Sequence, residues 1–90
     1  MRATQVYSDP KVPGEVEVRS IEGAVCGWAF GCPRCGKESW VFFNAPGETR
    51  GWTVVSGDAR DPSGVTLEPS LLQRCCGWHG WFRAGVFDPC

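Results

Sequence analysis

Two short segments of the chain share a layout that strongly restricts how it folds. Each has two potential metal ligands separated by two residues and followed by glycine: Cys32-Pro33-Arg34-Cys35-Gly36 and Cys76-Gly77-Trp78-His79-Gly80. This is the layout of a zinc knuckle, a tight turn in which the final glycine takes a positive φ at no steric cost. Two knuckles supply four ligands, and Cys₃His is a standard set for tetrahedral structural zinc. The sequence therefore predicts a structural zinc site formed by Cys32, Cys35, Cys76 and His79.

The spacing between the two segments departs from the simplest pattern. Forty residues separate Cys35 from Cys76, against about 15–20 in the common four-cysteine arrangement. We interpret the extra length as an inserted strand and polar loop. One alternative is a Cys32–Cys35 redox pair, but such pairs open a helix, and a strand pattern follows here. A zinc deaminase needs an upstream His-x-Glu, and no histidine precedes His79. A histidine without a metal role is the remaining alternative.

Alternation and turn residues predict β-structure throughout. Residues 15–21 (EVEVRSI) alternate apolar and charged side chains with the period of a half-buried strand. Further strand patterns lie at 23–30, 38–44, 51–57, 65–75 (interrupted by Pro69) and 80–87. No segment of ten residues has a clean helical period.

Ninety residues make a single domain. We predict a small all-β, zinc-ribbon-like antiparallel domain over residues 1–90, with two zinc knuckles and an inserted strand and loop region. We expect residues 1–14 to be a flexible or loosely attached segment.

Three cysteines lie outside the two predicted knuckles. In an extended strand Cys75 faces away from its neighbour Cys76, which favours a small buried apolar side chain. Cys26 lies in an apolar strand pattern, and Cys90 is terminal. We expect packing roles for Cys26 and Cys75, with a disulfide between them only under oxidising conditions.

Charge and hydropathy exclude several classes of function. Nine basic and ten acidic side chains give a net charge of −1, and the basic stripe of a nucleic-acid-binding protein is missing. The N-terminal residues lack the apolar region of a signal peptide, and no apolar run approaches the length of a membrane span. We therefore expect a cytoplasmic protein of a bacterial host, without membrane or nucleic-acid partners.

Several motifs together resemble an uncharacterised family of small zinc-binding proteins of phages and prophages, whose members are often mislabelled ammonia monooxygenase. The resemblance covers roughly residues 25–88. It rests on FGCPRCG at 30–36, a tryptophan strand at Trp52, Thr66-Leu67-x-Pro69-Ser70 and Cys76-Gly77-Trp78-His79-Gly80-Trp81. It implies a compact zinc-ribbon-like domain with Cys32, Cys35, Cys76 and His79 as the ligands.

A closed zinc site leaves no histidine for acid–base chemistry, so the sequence predicts a protein that is not an enzyme. The leading hypothesis is a non-catalytic, phage-encoded protein-binding module that inhibits a host protein such as a defence nuclease complex. Exposed aromatic side chains anchor interfaces, and the candidates are Trp28, Trp52 and Trp81. Alternatives are a virion or assembly component and a zinc ribbon that binds nucleic acid through the basic residues Arg34, Lys37, Arg74 and Arg83.

Overall fold

The secondary structure consists of strands and turns. The computed structural model describes residues 1–90 and contains nine strands, one 3-10 turn and no α-helix. The strands are β1 (Thr4–Val6), β2 (Glu15–Ile21), β3 (Ala24–Gly31), β4 (Glu38–Phe42), β5 (Thr53–Ser56), β6 (Thr66–Glu68), β7 (Leu71–Leu72), β8 (His79–Arg83) and β9 (Val86–Pro89), with the 3-10 turn at Pro62–Gly64. The predicted all-β class is confirmed. No helix is long and apolar enough to cross a membrane.

Three sheets form the fold. The largest has the order β1-β2-β3-β4, the second pairs β5 with β6, and the third has the order β7-β8-β9. All pairs are antiparallel except β1 with β2. The β5–β6 pair lies in the predicted insertion between the two cysteine-containing turns. The architecture is that of a zinc-ribbon-like domain with an added hairpin.

Two-residue turns explain where the hairpins bend. Glu22 and Gly23 both have positive φ (52° and 82°) and connect β2 to β3. Ala84 and Gly85 do the same (48° and 79°) between β8 and β9. Residues 80–87 were predicted to be one strand, which is wrong. Ala84 is not a typical residue for positive φ, so the turn has no strong sequence signal.

The N-terminal residues are bonded to the rest of the domain. The Met1 amino group donates to the Phe87 carbonyl, and the Phe87 amide donates to the Met1 carbonyl. The Ala3 amide donates to Gly85, and β1 pairs with β2. Residues 1–3 thus cover the free edge of β9 and β1 extends the largest sheet at β2, whereas residues 1–14 were expected to be loosely attached.

Aromatic side chains hold the sheets together. Phe87 of β9 contacts Phe82 edge-on at 4.8 Å between ring centroids and stacks on Phe30 of β3 at 5.6 Å. Trp28 meets Phe82 edge-on at 5.1 Å. Such pairs contribute about 0.5–1.5 kcal/mol each beyond the burial of their surface. Trp28 is only 2% exposed, so the prediction that it anchors an interface is wrong; its indole N–H instead bonds the Ala59 carbonyl.

Candidate metal centre and Ser-His pair

Two turns of the same form face each other at one end of the domain. In the first, the Cys32 amide donates to the Lys37 carbonyl, and the Gly36 amide donates to the Cys32 carbonyl. The second turn repeats both bonds with Gln73, Trp78 and Gly77 in the same roles. The first turn connects β3 to β4 and the second connects β7 to β8, and the two turns lie close enough for their cysteine sulfurs to meet.

The two glycines fix how the turns correspond. Gly36 has φ +76° and Gly77 has φ +78°, the left-handed conformation that glycine adopts without strain. Gly80 lies within β8, where its φ is not positive. The residue that matches Cys35 is therefore Cys76, immediately before Gly77. The alignment of Cys76-x-x-His79-Gly80 with Cys32-x-x-Cys35-Gly36 is three residues out of register.

Four cysteine sulfurs converge between the turns. The Sγ atoms of Cys32, Cys35, Cys75 and Cys76 all lie within 4.8 Å of one another. Individual separations are 3.5 Å for Cys32–Cys76, 3.2 Å for Cys35–Cys75 and 3.9 Å for Cys75–Cys76. Zinc–sulfur bonds of about 2.3 Å imply sulfur–sulfur edges of about 3.8 Å in a tetrahedron. Four thiols at these separations fit a single metal ion.

Cys75 takes part in this cluster, contrary to the sequence-based prediction that it faces away and is buried. Its side chain is exposed, and its sulfur contacts that of Cys35. The prediction assumed an extended strand, in which adjacent side chains point to opposite faces. Residues 74–76 form a turn instead, so Cys75 and Cys76 can both point inwards.

Hydrogen bonds set the protonation of the thiols in the metal-free protein. The Lys37 backbone amide, followed by the Cys75 thiol, lowers the pKa of Cys35 to about 7. The hydrogen bond between the Cys75 and Cys35 sulfurs, followed by burial, raises the pKa of Cys75 to about 12. The Trp78 amide lowers the pKa of Cys76, but burial and the Cys32 and Cys35 thiols raise it, and the net shift is upward. The cluster therefore holds protons that a bound metal would displace.

His79 lies outside the sulfur cluster. It begins β8, where it pairs with Leu72 of β7, and its Nε2 atom lies 2.9 Å from the Ser70 Oγ atom. Ser70 immediately precedes β7. Ser70 is half-buried, and His79 is exposed. The structure thus pairs the only imidazole with a serine hydroxyl.

The surroundings of this pair are sparse in other polar groups. No carboxylate oxygen lies within 4.0 Å of a His79 ring nitrogen. The Ser70 backbone amide donates to no other protein group. Its carbonyl accepts one bond, from the Trp52 indole at 3.4 Å. A serine and a histidine at hydrogen-bond distance are the core of a nucleophilic site.

One protein family matches nearly the whole chain. Its description is "Bacterial ubiquitination-like system serine protease (BubE)", and the match covers residues 3–90. The chain belongs to the BubE family. The match does not confirm the phage and prophage zinc-binding family that the motifs resemble, and that resemblance stays a prediction. No curated protein and no solved structure is similar enough to match the chain.

Membership of the BubE family corrects the prediction that the protein is not an enzyme. The family is named for serine proteases, and the predicted absence of catalysis rested on a metal-bound His79. The error arose from the register of the second turn, because aligning His79 with Cys35 removed the only imidazole from catalysis. Ser70 was overlooked, although Pro69-Ser70 belonged to the same motif as His79.

The two remaining predicted binding residues flank the Ser-His pair. Trp52 is half-buried and packs against the core, while its indole N–H reaches Ser70. Trp81 lies two residues after His79 on the same face of β8, and the Arg83 guanidinium lies 4.4 Å from its ring centroid. A binding role for Trp52 and Trp81 stays a prediction.

Proposed function

We propose that this chain is a serine peptidase in which Ser70 is the nucleophile and His79 the general base. The observation that carries the proposal is the 2.9 Å separation between Ser70 Oγ and His79 Nε2. The BubE family name supports the reaction class. His79 is also the only histidine in the sequence, so no other imidazole competes for the role.

The chemistry follows from the positions of these two side chains. His79 takes the Ser70 hydroxyl proton as the oxygen attacks a substrate carbonyl carbon, and it returns the proton to the leaving amine. Water then hydrolyses the resulting acyl-enzyme with His79 again as the base. The free Ser70 amide is a donor for the oxygen of the tetrahedral intermediate, as a nucleophile's own N–H is in other serine proteases. As built, the site is a dyad without an acidic third member.

We propose that the four cysteines hold a structural zinc ion. Tetrahedral zinc prefers thiolates at the separations found here, and four protein ligands leave no open position for a reacting water. When bound, the ion joins the two turns. The second turn connects β7 to β8, so fixing it also fixes the strands that carry Ser70 and His79.

The substrate we propose is a protein or peptide, as the family description suggests for a protease of a ubiquitination-like system. The hypothesis of a phage-encoded module that inhibits a host protein rested on the small size of the chain, the expected absence of catalytic groups and the phage setting of the resembling family, and the inhibitor role stays a prediction. The virion and nucleic-acid alternatives stay predictions. In this proposal the predicted protein partner is the substrate of the peptidase.

An active-site-directed probe tests the catalytic proposal. A fluorophosphonate dye reacts only with serines activated by a base. We expect Ser70→Ala to abolish labelling and His79→Ala to slow it by about 10²–10⁴-fold. Ser56→Ala is the matched control, because Ser56 is exposed and far in sequence from any histidine. Labelling that persists in Ser70→Ala, with zinc content unchanged, would refute the proposal.

A further inference from the structure

The backbone of Ser70 is held by a single hydrogen bond. Ser70 lies between β6 and β7 and belongs to neither strand. Its amide makes no bond to the protein, and its carbonyl accepts none from another backbone group. The only bond is the one donated by the Trp52 indole Nε1–H at 3.4 Å. The Trp52 indole is therefore the only group that orients the Ser70 main chain by a hydrogen bond.

Trp52 is itself held in place by backbone hydrogen bonds and by packing against the core. Its amide donates to the Phe42 carbonyl at 2.8 Å, and its carbonyl accepts from the Asn44 amide at 2.8 Å. It forms a parallel bridge with Phe43, at the end of the largest sheet. Its ring packs against the hydrophobic core. The β5–β6 register, which pairs Thr53 with Glu68, brings Trp52 opposite Pro69 and next to Ser70.

We propose that Trp52 is a positioning residue for the nucleophile. This inference rests on the proposed peptidase function and deepens it. The indole bond fixes the orientation of the Ser70 carbonyl, and with it the directions of the Ser70 side chain and of the adjoining peptide groups. The Ser70 amide is thereby held free for the substrate oxygen. Because small errors in the placement of a nucleophile reduce rates steeply, losing this bond slows the reaction without weakening ground-state binding.

Two substitutions of the same kind test this role. Trp52→Phe removes the indole N–H and keeps an aromatic ring in the core. Trp28→Phe is the matched control, because the Trp28 indole donates a 2.9 Å bond to the Ala59 carbonyl, away from the Ser-His pair. We expect Trp52→Phe to lower the rate of fluorophosphonate labelling, and kcat for p-nitrophenyl butyrate, by about tenfold. KM, zinc content and melting temperature should stay close to wild type, and Trp28→Phe should leave both rates unchanged.

The outcomes distinguish the positioning role of Trp52 from the peptidase activity of the Ser70–His79 pair. Unchanged rates in Trp52→Phe, with Ser70→Ala inactive, overturn the positioning role but leave the peptidase proposal standing. Equal losses in Trp52→Phe and Trp28→Phe also overturn it, since they indicate general loosening of the fold. Labelling of Ser70→Ala at the wild-type rate refutes both.

A measurement on the unsubstituted protein covers the case in which Trp52→Phe fails to fold. Hydrogen exchange of the five indole N–H groups can be followed by ¹⁵N NMR. We expect the Trp52 indole to exchange at least about tenfold more slowly than that of Trp40, which is 51% exposed. Equal exchange rates would show that the bond to Ser70 is absent and would overturn the inference.

Discussion

Replacing Cys75 distinguishes the four-cysteine site from the Cys₃His site that the sequence predicted. Cys75 Sγ lies 3.2 Å from Cys35 Sγ and 3.9 Å from Cys76 Sγ, whereas His79 Nε2 is bonded to Ser70. We therefore expect Cys75→Ser to remove one of four metal ligands and His79→Ala to remove none. The two variants should have opposite effects on zinc and on serine reactivity.

The size of the effect follows from the number of ligands. Structural zinc sites contribute an apparent binding free energy of about 10–16 kcal/mol near neutral pH. If each thiolate contributes equally, losing one costs roughly 3–4 kcal/mol, which corresponds to about 10²–10³-fold weaker binding. His79→Ala should change zinc affinity by less than about threefold, since nothing in the sulfur cluster touches the imidazole.

Competition with a chromogenic chelator, together with zinc content by mass spectrometry, measures both effects. Cys90→Ser is the matched control, because Cys90 is an exposed cysteine outside the cluster. Wild-type zinc affinity in Cys75→Ser, combined with zinc loss in His79→Ala, would refute the register of the second turn and restore the Cys₃His site.

Three further predictions follow from the same geometry. Zinc affinity should rise by at least about a hundredfold per pH unit between pH 7 and 8, because at least Cys75 (pKa about 12) and Cys76 (pKa raised) must each lose a proton. It should rise more steeply below pH 7, where Cys35 (pKa about 7) is protonated too. A slope of zero in the chelator titration would contradict this. Chelation of zinc should abolish fluorophosphonate labelling in parallel with metal loss, since the turn that joins β7 to β8 carries two of the four thiols. Labelling that survives complete removal of zinc would contradict the proposal that the metal holds the Ser-His pair in place. Gly85→Ala should lower the free energy of unfolding by more than about 2 kcal/mol in urea titrations, because the φ of Gly85 is +79° and an added Cβ would lie 2.1 Å from the Ser63 carbonyl oxygen. The control is Gly23→Ala, since Gly23 has a similar φ but open space around it. This substitution should lower the free energy of unfolding by only about 1 kcal/mol.

Local patterns in the sequence account for much of the fold. The alternation in residues 15–21 coincides with β2, and the Glu22-Gly23 turn follows directly. A period-2 pattern depends on one strand and one buried face, so it needs no knowledge of distant residues. The break at Pro69 separates β6 from β7 as expected. The β8–β9 turn was missed because Ala84 lacks the usual preference for positive φ.

The sequence by itself determined that this is a small all-β domain with a cysteine-rich turn at Cys32–Gly36, because strand periodicity and the needs of a tight turn are local properties. Only the tertiary structure decided what Cys75 and His79 do. The ligand set depends on which turn residue has positive φ, and the imidazole's partner depends on the pairing of β7 with β8. Ser70 and His79 are nine residues apart and meet through that cross-strand register. Spacing along the chain does not encode such a contact, and it is this contact that turns the predicted metal ligand into a general base in the proposed site.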